Sequence, residues 1–155
     1  DLIPPGRVIY DDSSQWRENN KPLFDSFFGI TGKPDYILET GDCQIPVEVK
    51  SSQAPEQPYE GHRFQLAVYC LLIERTTGKR PPYGILRYRN RTFAVDYTPE
   101  LEADLVNLLA EMRQTESAYR PSTRRGLQGA PRSHENPQRC KSCGYRDTCD
   151  QKLRE

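Results

Sequence analysis

The alternation of apolar and polar residues is clearest in one stretch in the first third of the chain. Residues 35–39 and 44–50 are short apolar-rich runs separated by Thr-Gly-Asp-Cys, a pattern typical of a β-hairpin with a tight turn. If the central Gly-Asp forms a two-residue loop, the register of the pair places Asp35 opposite Glu48. The pattern therefore predicts a hairpin that brings two carboxylates face to face.

The two faces of this predicted hairpin differ in character. Successive side chains alternate between faces, so Glu48 and Lys50 share one face, while Val47 and Val49 point the other way into a core. Carboxylates about 5 Å apart repel unless a cation lies between them, and a hard divalent ion with oxygen ligands meets that need. Lys50 would add the fixed positive charge that a phosphoryl-transfer transition state or an attacking hydroxide requires. On this stretch alone, a solvated strand face explains the same residues equally well.

Helical patterns appear twice along the chain. Residues 60–77 are strongly apolar and end at Gly78, as expected of a helix C-terminus. Thr98 followed by Pro99 fits an N-cap and a first-turn proline, which predicts a second helix to about Ser117. Its apolar stripe, expected to cover one face of a sheet, comprises Leu101, Leu105, Leu108, Leu109 and Met112.

The remaining patterns predict further strands. Residues 7–12 suit an edge strand, 13–22 a polar loop, and 23–31 a strand that feeds the hairpin. Residues 82–88 and 92–97 form a second predicted hairpin. The expected core residues in these segments are Trp16, Ile85, Phe93 and Val95. The order of elements predicts an α/β fold, with a mixed sheet flanked by helices.

The composition limits the class of protein but does not indicate a function. The 155 residues suit one core with a small appendage, and 22 basic residues balance 22 acidic ones, so global charge gives no signal for nucleic acid. No run approaches the 18 or so apolar residues of a membrane span, and the first residues lack the blocks of a signal peptide. We therefore expect a cytoplasmic protein without a membrane partner.

A shift in composition divides the chain. We expect a core over residues 1–117, a linker rich in Pro, Ser, Gly and Arg over 118–139, and a cysteine-rich tail over 140–155. The linker either tracks a phosphate backbone or is simply solvated. Its basic residues are Arg120, Arg124, Arg125, Arg132 and Arg139.

Three of the five cysteines lie in the predicted tail. Cys140 and Cys143 form a Cys-x-x-Cys turn that can point two thiolates at one ion, and Cys149 can join the same centre. In a reducing compartment such a cluster indicates a metal rather than disulfides. The residues alone leave iron–sulfur and zinc open. The other candidate ligands are His134 and Asp150 for a zinc ion, with Cys43 and Cys70 as weaker candidates.

The first predicted helix carries a polar stripe. His62, Gln65 and Tyr69 lie three and four residues apart, so they share one side of the helix. Taken individually, His62 is explained as an exposed helix histidine, Gln65 as a polar residue at the boundary of the core, and Tyr69 as a core aromatic. These three residues indicate a functional site only in combination with the carboxylates of the hairpin.

Three motifs together carry a family resemblance. They are Gly-x-x-Asp ending at Asp35, Glu-x-Lys from Glu48 to Lys50, and Gln-x-x-x-Tyr from Gln65 to Tyr69. In this order and spacing they resemble the RecB-like branch of the PD-(D/E)XK nucleases. The resemblance implies a PD-(D/E)XK nuclease core with a small C-terminal cysteine-rich metal-binding tail.

The resemblance also implies roles for these residues. Asp35 and Glu48 would hold a Mg²⁺ or Mn²⁺ ion, with the backbone carbonyl of Val49, which lies between the two motif side chains, as a further ligand. Lys50 would position or polarise the attacking water.

The helix motif is implied to support this chemistry. Gln65 and Tyr69 would orient Lys50 or contact the substrate phosphate, with His62 as a helper.

The chain from about Arg7 onwards is similar to one branch in particular, the CRISPR-associated RecB-like exonucleases, the fourth-numbered Cas family. The similarity lies in GKPDYIL, PVEVKSS, QLAVYCLLIE, PPYGILRY and the cysteine tail. It implies an exonuclease that trims DNA, single-stranded or with free ends, and works with the CRISPR integrase during spacer acquisition. Relatives outside CRISPR loci share the motifs, so this setting stays open.

The family resemblance also bears on the cysteine tail. It implies that Cys140, Cys143 and Cys149 are the last three ligands of a 4Fe–4S cluster, with zinc as the alternative. The first cluster cysteine and a motif histidine of the family precede the core, and neither is found before residue 32. A competing function is a DNA-end-binding scaffold with weak catalysis that serves a partner integrase or helicase.

Overall fold

The structure is a computed structural model that describes residues 6–10, 12–119 and 131–154. By its internal contacts the chain divides into two compact units, Asp1–Ala110 and Glu111–Glu155. Within the described residues, no helix has both the length and the apolar character needed to cross a membrane.

A six-stranded mixed sheet forms the first unit. Its strands are β1 (Arg7–Ile9), β2 (Trp16–Glu18), β5 (Tyr36–Glu39), β6 (Gln44–Val49), β7 (Tyr83–Arg87) and β8 (Thr92–Asp96), and a separate pair consists of β3 (Leu23–Asp25) and β4 (Ile30–Gly32). The order across the large sheet is β1-β8-β7-β6-β5-β2, and among these described strands β6 and β7 are the only parallel neighbours. This architecture confirms the predicted α/β class.

The predicted register of the first hairpin is confirmed. Tyr36 pairs with Val47 and Glu39 with Gln44, which is the register that sets Asp35 against Glu48. The Thr40 N–H donates to the Cys43 carbonyl at 2.9 Å, closing the two-residue loop.

Helix α1 (Glu60–Thr77) connects β6 to β7 and has the predicted bounds. It ends at Gly78, whose φ of 74° lies in the left-handed region that glycine adopts without strain. Helix α2 (Pro99–Tyr119) begins at the predicted cap, where Thr98 Oγ1 accepts from the Leu101 N–H at 3.1 Å.

The sheet has a different core on each face. The larger core packs α1 and the first turns of α2 against β7 and β8, with Leu66, Leu72, Leu86, Phe93, Leu101 and Leu105 among its members. The opposite face carries a smaller cluster of Leu38, Ile45, Val47 and Ile85, against which Trp16 and Tyr36 pack. Core positions were thus predicted correctly for Trp16, Ile85, Phe93 and Val95.

Two expected core side chains are exposed instead. Val49 is 40 % exposed because it is the last residue of β6, beyond the cover of the smaller cluster. Met112 is 59 % exposed, so the apolar stripe of α2 ends before it.

Two expectations for the first 32 residues were wrong. Residues 13–22, predicted as a loop, contain the 3-10 helix Ser13–Gln15 and the edge strand β2, which pairs with β5. Residues 23–31, predicted as one strand, form the β3–β4 hairpin, with Gly29 at φ 59° and Asp25 Oδ2 accepting from the Phe28 N–H at 2.8 Å. Short strands of this kind are set by pairing partners that a single sequence does not reveal.

The second unit contains the short helix α3 (Pro137–Lys141), capped by Asn136 Oδ1, which accepts from the Gln138 N–H at 2.9 Å. Arg132 forms an ion pair with Glu135 at 2.8 Å and bonds the backbone carbonyls of His134 and Gln151. The Arg132 side chain therefore stabilises the fold of the second unit. Of the other predicted linker arginines, Arg120, Arg124 and Arg125 lie outside the described residues.

Candidate active site

The predicted site residues meet at one end of the large sheet. Asp35 immediately precedes β5, Glu48 lies near the end of β6, and α1 crosses this end with Gln65 and Tyr69. The Lys50 N–H donates to the Arg87 carbonyl at 2.8 Å, so β7 holds the backbone on which Lys50 stands.

Glu48 is the centre of a hydrogen-bond network. Its side chain is buried, with the residue 8 % exposed, and Oε1 accepts from Lys50 Nζ at 2.8 Å and from Gln65 Nε2 at 2.9 Å. Oε2 accepts from the Tyr69 hydroxyl at a longer 3.3 Å. A buried carboxylate requires such partners because leaving its charge unpaired is costly.

Gln65 links the other members of the network. Its Oε1 accepts from Lys50 Nζ at 2.8 Å, while its Nε2 donates to the Tyr69 hydroxyl at 2.9 Å. Burial, reinforced by the negative charge of Glu48, raises the pKa of Tyr69 to about 12. Tyr69 therefore remains a neutral phenol at physiological pH and keeps its proton to donate to Glu48.

Asp35 stands apart from this network, on the exposed side. Its Oδ2 accepts from the Val49 N–H at 2.8 Å, and the Asn19 N–H donates to its carbonyl at 3.0 Å. Asn19 also donates through Nδ2 to the Pro34 carbonyl at 3.1 Å. Asp35 lines a cleft of about 360 Å³, together with Glu18, Asn19, Lys33, Tyr36 and Val49.

The donors at this end of the sheet suit a hard divalent ion. Among the described residues Asp35 Oδ1 has no hydrogen-bond partner, and it offers a carboxylate oxygen to the cleft. The N–H and C=O of a strand residue point to the same side, so the Val49 carbonyl points towards Asp35. Oxygen ligands of this type are those that Mg²⁺ and Mn²⁺ prefer, so the residues fit the ion that the family resemblance implied.

Gly32 explains the first position of the Gly-x-x-Asp motif. A Cβ added there would lie 2.8 Å from Tyr69 Cε1 and 3.0 Å from Leu72 Cδ1. The absence of a side chain at Gly32 thus allows the Tyr69 ring to lie against β4 and reach Glu48.

We expect Gly32→Ala to displace Tyr69 and to lower the free energy of unfolding by about 1–3 kcal/mol, the usual cost of overpacking. Urea denaturation measures this change. Gly41→Ala is the matched control, since a Cβ at Gly41 meets nothing within 4 Å and its φ is not positive. An equal effect of the two substitutions would contradict the assigned contact.

His62 lies on the same side of α1 but belongs to a different contact. Its Nδ1 lies 2.7 Å from the Tyr88 hydroxyl. Burial, followed by the positive charge of Lys50, lowers the pKa of His62 from its ordinary 6.5. His62 is therefore the neutral neighbour of Lys50 at physiological pH.

This lowered pKa predicts a pH dependence of stability. Below pH 6.5 the unfolded chain binds a proton that folded His62 does not, so the free energy of unfolding falls as pH drops from 6.5 towards the folded pKa. Urea denaturation in EDTA, at about pH 7.5 and about pH 5.5, should show a smaller loss for His62→Gln than for wild type. His134→Gln, at the second of the two histidines, is the control. If His62→Gln lost as much free energy of unfolding as wild type between the two pH values, the pH dependence would not come from His62.

The three cysteines of the tail lie in the second unit. Cys140 is buried and its Sγ accepts from the Leu153 N–H, while the exposed Cys143 accepts from the Tyr145 N–H, both at 3.4 Å. Among residues 6–10, 12–119 and 131–154, no three His, Cys, Asp or Glu side chains converge as metal ligands. The N–H···S bonds are of the kind that tune thiolate ligands, but a complete ligand set is not assembled among these described residues.

The two other cysteines have structural surroundings. Cys70 is buried in the larger core, and burial raises the pKa of its thiol, so this weaker ligand candidate packs as a small hydrophobic side chain. Cys43 is half-buried at the hairpin turn, with its Sγ 3.5 Å from Thr40 Oγ1.

Several residues around the site carried no motif signal. Asn19 fixes the backbone at Pro34 and Asp35 from a segment predicted to be a loop, and Lys33 lines the cleft of Asp35. Arg87 lies beside Val49 in the parallel pair of β6 and β7. Asn19 and Arg87 reach the site only through the pairing of distant strands, whereas Lys33 is two residues from Asp35 in the sequence.

Two curated proteins are similar to this chain. It is 26 % identical over 161 residues to a CRISPR-associated exonuclease Cas4/endonuclease Cas1 fusion of Leptospira interrogans serogroup Icterohaemorrhagiae serovar Lai (strain 56601), covering 96 % of this chain and 28 % of the relative. It is 23 % identical over 135 residues to a CRISPR-associated exonuclease Cas4 of Francisella tularensis subsp. novicida (strain U112), covering 86 % and 63 %. The chain thus spans less than two thirds of each relative.

The fold and the family agree with these similarities. The crystal structure of SSO0001 matches with a TM-score of 0.51 and 26 % identity, over 81 % of this chain and 52 % of that one. The model of the PD-(D/E)XK nuclease superfamily matches residues 10–150, a range that contains the three motifs and the sheet end on which they meet. The chain therefore belongs to the PD-(D/E)XK nuclease superfamily.

Proposed function

We propose that this chain is a divalent-metal-dependent deoxyribonuclease that hydrolyses phosphodiester bonds at DNA ends. The observation that carries the proposal is the network of Glu48, Lys50, Gln65 and Tyr69 beside the cleft of Asp35. It sets the Glu48 carboxylate and the Lys50 ammonium next to Val49, which lines this open cleft together with Asp35.

Asp35, Glu48 and the backbone carbonyl of Val49 would hold the Mg²⁺ or Mn²⁺ ion. When bound, the ion supplies Lewis acidity to the scissile phosphate and lowers the pKa of a bound water. Glu48 is already oriented for this role because Lys50 and Gln65 fix one carboxylate oxygen.

Lys50 provides the positive charge closest to Glu48. Its side chain is 21 % exposed, so the ammonium can reach a phosphate oxygen or the attacking water while it stays bonded to Gln65 Oε1. Gln65 thus positions Lys50, and Tyr69 supports Gln65 and Glu48 with a hydroxyl that remains protonated. A pre-positioned charge of this kind stabilises the charge that develops on the phosphate.

The names of the two relatives support a proposal for the biological setting. One is named an exonuclease and the other an exonuclease fused to an endonuclease called Cas1. We infer that the chain trims DNA that is single-stranded or has free ends, for an integrase of the Cas1 kind during CRISPR spacer acquisition.

Incubation of end-labelled single-stranded DNA with Mn²⁺, with and without EDTA, tests the proposed function. We expect shortening of the strand with Mn²⁺ and an intact strand with EDTA. Binding to DNA ends without any shortening would favour the scaffold function instead.

We also propose that Cys140, Cys143 and Cys149 hold a metal centre, an iron–sulfur cluster or a zinc ion. The two N–H···S bonds and the cysteine spacing support this proposal. Bound metal would stabilise the second unit directly, because few large apolar side chains are available there to offset the entropy of ordering.

We expect Cys143→Ala to make residues 131–154 sensitive to protease while the sheet stays folded. Limited proteolysis followed by mass spectrometry measures this, and Ser142→Ala, which changes an exposed neighbour, is the control. Protein isolated without oxygen should contain iron with visible absorbance, whereas stoichiometric zinc would assign the alternative. Absence of both metals, with unchanged proteolysis of Cys143→Ala, would reject the metal centre.

A further inference from the structure

An aromatic pair and an arginine lie on the face of the sheet opposite α1. The ring centroids of Trp16 and Tyr36 are 5.9 Å apart with an interplanar angle of 47°. The Arg87 guanidinium carbon lies 5.3 Å from the centroid of the Trp16 ring. Trp16 and Tyr36 are only half-buried and Arg87 is exposed, so this group presents aromatic surface and positive charge together.

These three side chains line a cleft that adjoins the catalytic one. The cleft has a volume of about 250 Å³ and is lined by Ser13, Trp16, Tyr36, Val49 and Arg87. Tyr36 and Val49 also line the cleft of Asp35. A polymer bound at Asp35 can therefore continue directly into the aromatic cleft.

Positive charge continues on the other side of Arg87. A further cleft of about 510 Å³ contains Arg87, Arg89 and Arg91, all of them exposed. The turn that carries Arg89 and Arg91 is held in place, since the Arg89 N–H donates to the Ser52 carbonyl at 3.1 Å and the Ala54 N–H donates to Asn90 Oδ1 at 2.7 Å. The arginines thus stand on a fixed backbone beside the segment that follows Lys50.

We propose that Trp16, Tyr36 and Arg87 form a binding site for one unpaired nucleobase and its phosphate, directly beside the catalytic cleft. The inference rests on the proposed function and adds the residues that hold the nucleotide next to the scissile bond. Every base has a π-face that stacks on an aromatic ring, and arginine adds both cation–π and phosphate contacts. In a duplex both faces of an internal base are already stacked, so the site selects unpaired nucleotides.

Trp16 is the only tryptophan of the chain, which makes its fluorescence a direct reporter. In EDTA, where the proposed chemistry cannot proceed, we expect a single-stranded oligothymidine to quench this fluorescence. A blunt duplex and an abasic oligonucleotide, both of the same length, should leave it nearly unchanged.

Variants test the same site by fluorescence anisotropy with labelled oligothymidine. Trp16→Ala should weaken binding about 5- to 100-fold, the range of one base–aromatic stack, while Trp16→Phe should restore most of it. Arg87→Ala should weaken binding and reduce its salt dependence by about one phosphate contact. Phe24→Ala, at an exposed aromatic on the separate β3–β4 sheet, is the control expected to have no effect.

The outcomes separate this site from the nuclease. The nucleobase site would be overturned if the abasic oligonucleotide or the duplex quenched the fluorescence as strongly as oligothymidine does. It would also be overturned if Trp16→Ala melted like wild type and bound oligothymidine with the affinity of wild type. If Trp16→Ala does not fold, the quenching of wild type decides alone. Quenching by oligothymidine in a protein that never cleaves DNA would support the nucleobase site while rejecting the nuclease.

Discussion

Asp35→Asn and Glu48→Gln are each expected to lower the rate of Mn²⁺-dependent cleavage by about a thousandfold or more, since each removes a charged oxygen ligand of the catalytic ion. The amide oxygen introduced by Asp35→Asn can still accept from the Val49 N–H, so the fold of this variant should be retained. Glu48→Gln leaves the Lys50 ammonium, which is mostly buried, without its carboxylate, so a lower free energy of unfolding is expected as well.

Single-turnover cleavage of end-labelled DNA measures the first effect, and urea denaturation the second. Glu39→Gln is the matched control, because this carboxylate on β5 pairs with Arg17 at 2.6 Å, away from the network of Glu48. Near-normal Mn²⁺-dependent cleavage by Asp35→Asn or Glu48→Gln would exclude that residue from the metal site.

Lys50→Met is expected to lower turnover about 100- to 1,000-fold, in the range seen when a pre-positioned transition-state contact is lost. The affinity for DNA should change much less, about threefold or less, because one phosphate contact contributes little to the binding of a whole strand. Lys50 acts on the reacting phosphate or water and is held by Glu48 Oε1 and Gln65 Oε1, each at 2.8 Å.

Rapid-quench kinetics and anisotropy in EDTA separate these two quantities for Lys50→Met. Lys79→Met, an exposed lysine beyond the end of α1, should alter neither. A large loss of affinity at unchanged turnover would make Lys50 a DNA-binding residue instead of a catalytic one.

The central hairpin could be predicted from the sequence because its information is local. Alternation fixes which residues share a face, and the two-residue loop fixes the register, so the pairing of Tyr36 with Val47 followed without knowledge of the rest. The bounds of α1 were equally local, since Gly78 takes the left-handed conformation that ends the helix. The motif residues Glu48, Lys50, Gln65 and Tyr69 then meet because helix and hairpin pack together.

Other features depend on distant partners and could not be predicted. Strand β2 exists through its pairing with β5, so the sequence predicted Trp16 as a core residue but not its position at the edge of the site. The alternating pattern places Val49 on the same face as the core residue Val47. Val49 is nevertheless exposed, because it lies at the end of β6, where the smaller core cluster no longer covers the strand. Gly32 and Tyr69 belong to two motifs that are far apart in the sequence, and their contact is seen only in the folded structure.

A parallel measurement of Mn²⁺ binding and DNA cleavage tests the proposed site most directly. Calorimetry gives the Mn²⁺ bound by the protein without DNA, and the cleavage rate of end-labelled single strands is followed over the same Mn²⁺ concentrations. We predict that wild type binds Mn²⁺ and cleaves, that EDTA abolishes both, and that Asp35→Asn does neither while it melts like wild type. Cleavage that persists in EDTA, or Asp35→Asn that binds Mn²⁺ and cleaves like wild type, would contradict a metal-dependent nuclease site at Asp35 and Glu48.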